Sequence, residues 1–364
     1  MKYLVLFLLI ILLLMILGYG ICKLFRMEHM QTGGANLRFN NISSNKFNFD
    51  LNKITAINDV TAIAFKNSNM YVTSQSGKVY MIQNYKNNNN EEEIYDASKL
   101  NNFTDEGMEE GLLGIAFNQS KIYLSYTTVG DDTNLLVDEF DFNNNKLSNR
   151  RNIITVAFEN DYHHAGTIIF DKNNNMYLST GDGGPQGADP NNKAQDKNSL
   201  RGKIIKINPR TKETKIIALG LRNPWKISLD NQNRIWIGDA GWNSVESVKL
   251  MENLNEMYNF GWNYFEGSKR IRSGKNFDDF NPPAYEYPKP KGGVIIGGYF
   301  LNNQNIYVFA DYTGILKAIE YDGDKWIRVA DQKINEKIYT FGYDGQQLFL
   351  GTNKNIYRIN INKS

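Results

Sequence analysis

One unit recurs along the chain: an apolar strand, a polar turn, a second strand carrying an aromatic residue, then a Gly-containing turn into a third strand. It runs through residues 61–82 (TAIAFKNSNMYVTSQSGKVYMI), 114–127, 167–207, 226–241, 294–319 and 337–359. Short strands at this spacing, with no long helical period after residue 30, point to radial repetition of small sheets. A β-sandwich would not explain a repeated unit. The expected fold is therefore all-β, a six-bladed β-propeller over residues 51–364. Loops from every blade gather at the mouth of a propeller's central tunnel, so residues distant in sequence can line one pocket.

The N-terminus is of another kind. Residues 3–22 (YLVLFLLIILLLMILGYGIC) are apolar and free of charge, and twenty residues at 1.5 Å rise span a bilayer core of about 30 Å. Leu24, Phe25 and Arg26 follow where a cleavage site would place small residues, which favours an uncleaved transmembrane anchor. Lys2 on one side and Lys23 and Arg26 on the other orient it weakly. The expected organisation is an anchor over 1–26, a polar stalk over 27–50, and the propeller on the extracytoplasmic, lumenal or particle-surface side of a membrane.

Charge and cysteine content narrow the partners. Lys and Arg number 41 against 39 Asp and Glu, a net charge of +2 spread along the chain, so no footprint for nucleic acid is present. The single cysteine, Cys22, lies in the apolar N-terminus. The folded part therefore has no internal disulfide and no cysteine-based zinc site, and its stability rests on packing.

Four stretches use residues that plain turns do not need. They are GLLGIAF after Glu109 and Glu110; His163-His164-Ala165-Gly166 with the following Gly181 and Asp182; GLRNPW, containing Arg222 and Asn223, with Gly238-Asp239 and Gly241-Trp242; and NFGWNYFEG around Trp262. For the Gly181-Asp182, Gly238-Asp239 and Gly261-Trp262 pairs a structural reading suffices: glycine admits positive φ, Asp closes turns, and Trp fills space between blades. Arg222 is different. A guanidinium among apolar neighbours requires a buried acceptor or an anionic ligand. His163 stands where a loop enters a rigid strand, a place suited to reacting groups.

In this order, GLLGIAF, HHAG with STGD, GKIIKINP, GLRNPWKISLD, IWIGDAGWNSVE, NFGWNYFEG and IIGGYF resemble the glucose/sorbosone dehydrogenase family from about residue 55 to 360. That family comprises quinoprotein glucose and aldose-sugar dehydrogenases and the related propeller of Hedgehog-interacting proteins. The resemblance implies a bound pyrroloquinoline quinone (PQQ) that accepts hydride from C1 of an aldose, with an external electron acceptor downstream. His163 matches the base that removes the C1 hydroxyl proton, Arg222 the arginine facing the quinone oxygen, and Asn223 its cofactor-contacting neighbour. Consecutive backbone carbonyls hold the family's Ca2+, and those positions fall on Gly241 and Trp242.

Two departures accompany the match. Glu109 stands where the soluble glucose enzymes have Gln, and a carboxylate there could keep the base protonated. The quinone carries three carboxylates, yet residues 294–316 contain neither Lys nor Arg, which leaves Lys291 and Lys317 as the nearby cations. Two expectations follow: a membrane-anchored PQQ-dependent sugar dehydrogenase, or a non-catalytic propeller that binds a glycan or protein at a membrane or particle surface. The first requires His163 and Arg222 to face a common cavity. The second predicts a mouth without a cationic cluster around Arg222.

Overall fold

The computed structural model describes residues 45–130 and 132–364. The expected anchor, the first residues of the stalk and Cys22 lie outside the described residues. Among the described residues no helix is long and apolar enough to cross a membrane.

Six sheets, antiparallel except where Thr214–Leu219 pairs parallel with Tyr258–Asn259, are arranged as blades among the described residues. Their first strands are Val60–Lys66, Leu112–Asn118, Ala165–Phe170, Pro224–Leu229, Ile295–Leu301 and Ile338–Tyr343, numbered here as blades 1 to 6. Each first strand contacts those of the two flanking blades, and blade 6 returns to blade 1, so the ring closes. The six recurring segments of the sequence coincide with the six blades. In blade 3, Ala165–Phe170 pairs with Met176–Thr180, and the turn between them is fixed by Asp171, whose carboxylate accepts the N–H groups of Asn173 and Asn175.

Burial explains why the strands are apolar on both faces. Six separate cores lie between successive blades, such as Val60, Val72 and Ile82 against Phe349 and Ile356, or Trp236 against Phe300 and Tyr307. A blade sandwiched by two neighbours has no solvent face along its inner strands, so a polar alternation would place unpaired groups in a core. Met176–Thr180 and Ile306–Asp311 are buried at every position.

The expected stalk is corrected at its end. Residues 47–50 begin the strand Phe47–Thr55, which pairs antiparallel with Ile356–Lys363 and supplies the outer strand of blade 6. The physical reason is alternation: Phe47 and Phe49 enter the core between blades 5 and 6, while Asn48 and Asp50 face solvent. Gln332 on blade 5 locks the strand, accepting the Phe49 N–H and donating to its carbonyl.

Candidate functional site

At the face where the first strands begin, a cavity of about 250 Å³ opens. Its wall includes Thr61, Glu109, Leu113, Asn223, Trp225, Tyr312 and Tyr339, so that every blade but blade 3 contributes, together with the loop before blade 2. Below it a narrow void of about 40 Å³ runs between all six first strands, with Lys226 in its lining. Lys226 is buried with its ammonium 3.2 Å from the Leu113 carbonyl, and burial pushes it down to about 7.

The loop entering blade 3 delivers His163 beside this cavity. Its backbone is held in the left-handed region at φ 59°, as is that of Ala165 at φ 57°, an arrangement that costs about 1–3 kcal/mol per residue and is retained where surrounding contacts enforce it. One such contact is the strand end at Gly181, where a Cβ would lie 1.9 Å from the His163 carbonyl oxygen. Another is Glu109, whose Oε2 accepts the His163 N–H at 2.7 Å and the Asn223 side-chain amide at 2.9 Å.

His163 Nδ1 lies 2.7 Å from Asp182 Oδ1. Asp182 is fully buried and also accepts from the Gly184 N–H, from Asn192 Nδ2 at 2.6 Å and from Trp262 Nε1 at 2.6 Å. Burial alone would raise this carboxyl, but the hydrogen bonds from His163 and the Gly184 N–H and the nearby Arg222 charge bring it below its ordinary value. An ionised Asp182 can only accept, so Nδ1 carries the proton and Nε2 presents its lone pair. His164 faces the other way. It is wholly buried, edge-on to Phe158, with neither ring nitrogen hydrogen-bonded, and burial lowers its pKa.

Arg222 approaches from blade 4. Its Nη2 donates to Gln186 Oε1 at 2.8 Å, its Nη1 to the Ala240 carbonyl at 3.2 Å, and its guanidinium lies 5.6 Å from the Trp262 ring. Gln186 Nε2 is 3.4 Å from His163 Nε2. The histidine and the arginine thus face a common gap, bridged by one amide side chain. Asp239 Oδ1 accepts the N–H groups of both Arg222 and Asn223 and fixes the turn that carries them.

The other expected residues fare unequally. Lys291 is exposed next to Gly292, which lines the cavity, so it stands at the rim. Lys317 does not belong to the site. It lies on the third strand of blade 5, Ile315–Tyr321, with its ammonium 3.1 Å from Asp331 on the neighbouring outer strand and over the Tyr287 ring. Asp182, Asp239 and Trp262, given purely structural roles by their turns, prove to be the supports of His163 and Arg222. Gln186, Lys289 and Lys337 were not foreseen. Lys337 sits over the ring of the cavity residue Tyr312.

The two groups implied by the resemblance can be tested against these residues. For the quinone the fit is good: Arg222 Nε and Asn223 Oδ1 are buried without a hydrogen-bond partner, on the two residues assigned to it, and the aromatic wall suits a planar ring. Calcium does not fit. The Gly241 carbonyl accepts the Lys289 ammonium at 3.2 Å, and among the described residues no group of three or more acidic, histidine or cysteine side chains is placed to hold a metal ion.

Comparison with known proteins agrees with the geometry. The family model described as Glucose / Sorbosone dehydrogenase matches residues 58–307. The HIPL1 protein of Arabidopsis thaliana is 30% identical over 222 residues, 47% of this chain and 31% of its own length; the chain spans about a third of the curated relatives it matches. Among solved structures, the PQQ-bound aldose sugar dehydrogenase of Streptomyces coelicolor superposes with a TM-score of 0.69 at 18% identity, covering 88% of this chain and 99% of that one. The apo soluble aldose sugar dehydrogenase of Escherichia coli gives 0.70 at 17% identity, covering 87% and 100%. With a six-bladed ring and a matched segment that spans most of it, this chain belongs to the glucose/sorbosone dehydrogenase family.

Proposed function

We propose that the chain is a quinone-dependent sugar dehydrogenase whose reaction takes place in the gap between His163 and Arg222. The observation that carries this reading is the Asp182–His163 pair, with Nε2 facing, across the Gln186 amide, the same gap as the Arg222 guanidinium. When bound, the quinone supplies the hydride acceptor. Arg222 and Asn223 would hold it through the polar atoms that lack partners, and Lys291 and Lys337 stand at the rim for its carboxylates.

The chain's own residues supply the rest. An aldose hydroxyl replaces the Gln186 amide beside His163 Nε2 and gives up its proton there, while Asp182 holds the other ring nitrogen and stabilises the imidazolium that forms. Trp225, Tyr312 and Tyr339 present apolar faces to the sugar and exclude water. Residues 3–22 would tether the propeller to a membrane, on its extracytoplasmic or lumenal side. Retention of the full-length chain in carbonate-washed membranes, and its release on deleting residues 1–26, tests that tether.

To test the activity, the purified chain is loaded with the quinone and dye reduction is followed with a panel of aldoses. Turnover that disappears in His163→Asn supports the proposal; quinone that neither binds nor turns over removes it. One observation favours a second reading, a non-catalytic propeller that binds a glycan or protein: no Lys or Arg lines the cavity wall, which carries Glu109 instead. Glycan binding that persists without quinone, in wild type and His163→Asn alike, would select it.

A further inference from the structure

The turn from Gly241 to Val245 is built around two buried carboxylates. Glu266 Oε1 accepts the N–H groups of Trp242, Asn243 and Ser244 at 2.7–2.9 Å, which folds the turn tightly. A Cβ at Gly241 would lie 1.7 Å from the Val245 carbonyl, so glycine is required there. Glu246, wholly buried, accepts the N–H groups of Gly241 and Ile295 with Oε2 at 3.0 Å and the Lys289 ammonium with Oε1. That same ammonium reaches the Gly241 carbonyl. Lys289 lies just beyond the outer strand of blade 4, Tyr285–Pro288, and its backbone N–H donates to the Ser244 carbonyl, which brings the side chain back over the turn.

We propose that the Lys289 ammonium occupies the place of a divalent cation at the Gly241–Trp242 turn, so that this chain carries a built-in, unchelatable positive charge there and binds no calcium. Calcium requires six to eight oxygen ligands at 2.3–2.6 Å. Here the Gly241 carbonyl and one Glu246 oxygen are committed to Lys289, the other Glu246 oxygen to two N–H groups and Glu266 Oε1 to three more, which leaves Glu266 Oε2 as the one carboxylate oxygen of the turn that is buried without a partner. The ligands left cannot assemble such a shell without expelling the lysine. A cation tethered by the chain needs no free ion and is indifferent to chelators.

Charge accounting agrees. Lys289 is the cation in contact with the buried Glu246 carboxylate, and a buried carboxylate stripped of its partner is costly unless another cation replaces it. The inference rests on the family reading of the turn but not on turnover, so a chain that proved inactive would leave it standing.

The test is calcium titration of the full-length, chelator-treated chain by calorimetry, with thermal unfolding followed in calcium and in EDTA. Wild type is expected to show no saturable binding up to millimolar calcium and the same midpoint in both conditions. Lys289→Met frees the Gly241 carbonyl and Glu246 and is expected to gain one site, tightening at least about tenfold into the submillimolar range of modest oxygen sites, with a midpoint that calcium raises. Lys289→Met/Glu246→Gln removes the charge as well and should lose that response, while Lys289→Arg should behave as wild type. Stoichiometric calcium binding by wild type overturns the proposal. So does a folded Lys289→Met that ignores calcium. If Lys289→Met fails to fold in either condition, the wild-type titration decides.

Discussion

The loop before blade 2 and the start of blade 4 meet the cavity with other materials than blades 5 and 6 do. On the first side stand Glu109, Asn223 and, just behind them, His163, Asp182 and Arg222, joined by hydrogen bonds of 2.6–3.2 Å that leave few groups free to move. On the second side stand Val294, Ile296, Tyr312 and Tyr339, with Tyr312 and Tyr339 stacked at 5.6 Å and 6°. The polar side holds atoms at fixed positions and protonation states. The aromatic side offers area and shape. A reaction requires the first, whereas affinity for a planar or ring-shaped ligand can be drawn from the second alone.

If that division is real, damage on the polar side should appear in kcat. Asp182→Asn replaces a carboxylate by an amide that can no longer hold His163 Nδ1–H as an ionised acceptor does. It is expected to lower kcat of the quinone-loaded chain by about 10²–10⁴-fold with little change in KM. A comparable loss in KM alone would break the comparison. On the aromatic side, Tyr312→Ala is expected to raise KM roughly tenfold at nearly constant kcat, in line with about 0.5–1.5 kcal/mol for an aromatic contact beyond its buried area.

Glu109→Gln keeps an oxygen for the His163 and Asn223 donors but removes a negative charge from the cavity wall. Quinone affinity should rise about fivefold at low salt, near 1 kcal/mol of relieved repulsion, and the gain should shrink as salt is added. Smaller still is an effect on stability. The Asp182 carboxyl titrates below its ordinary 3.8 when folded, so the unfolded chain binds more protons in that window. Its contribution is fully present above the ordinary value and is lost as pH falls through the folded one. The unfolding midpoint of wild type should therefore drop more steeply than that of Asp182→Asn below about pH 4.

How much of this could be read from the residues follows from where each contact originates. The blades were legible because each is a local event: strand, turn and strand lie within some twenty residues, as in residues 61–82. The closing strand was not, because Phe47 finds Lys363 across almost the whole chain and FNFDLN reads as part of a polar stretch. Among the site residues, His163, Arg222, Asn223 and Glu109 stood out through their motifs and do converge. Asp182 looked like any turn aspartate, and its second role comes from His163 and from Trp262, eighty positions away, which both reach it only in the folded ring. Lys317 was misplaced because proximity in sequence to blade 5 says nothing about which strand of the blade faces the axis. Lys289 had no signal beyond its flanking prolines.

The clasp between Phe47–Thr55 and Ile356–Lys363 has a temporal consequence. Phe47–Thr55 has no partner until Ile356–Lys363, on the far side of the ring in sequence, has been translated. A nascent chain therefore carries a wheel with an open gap, and termination anywhere in the final blade would leave two raw sheet edges available to another molecule.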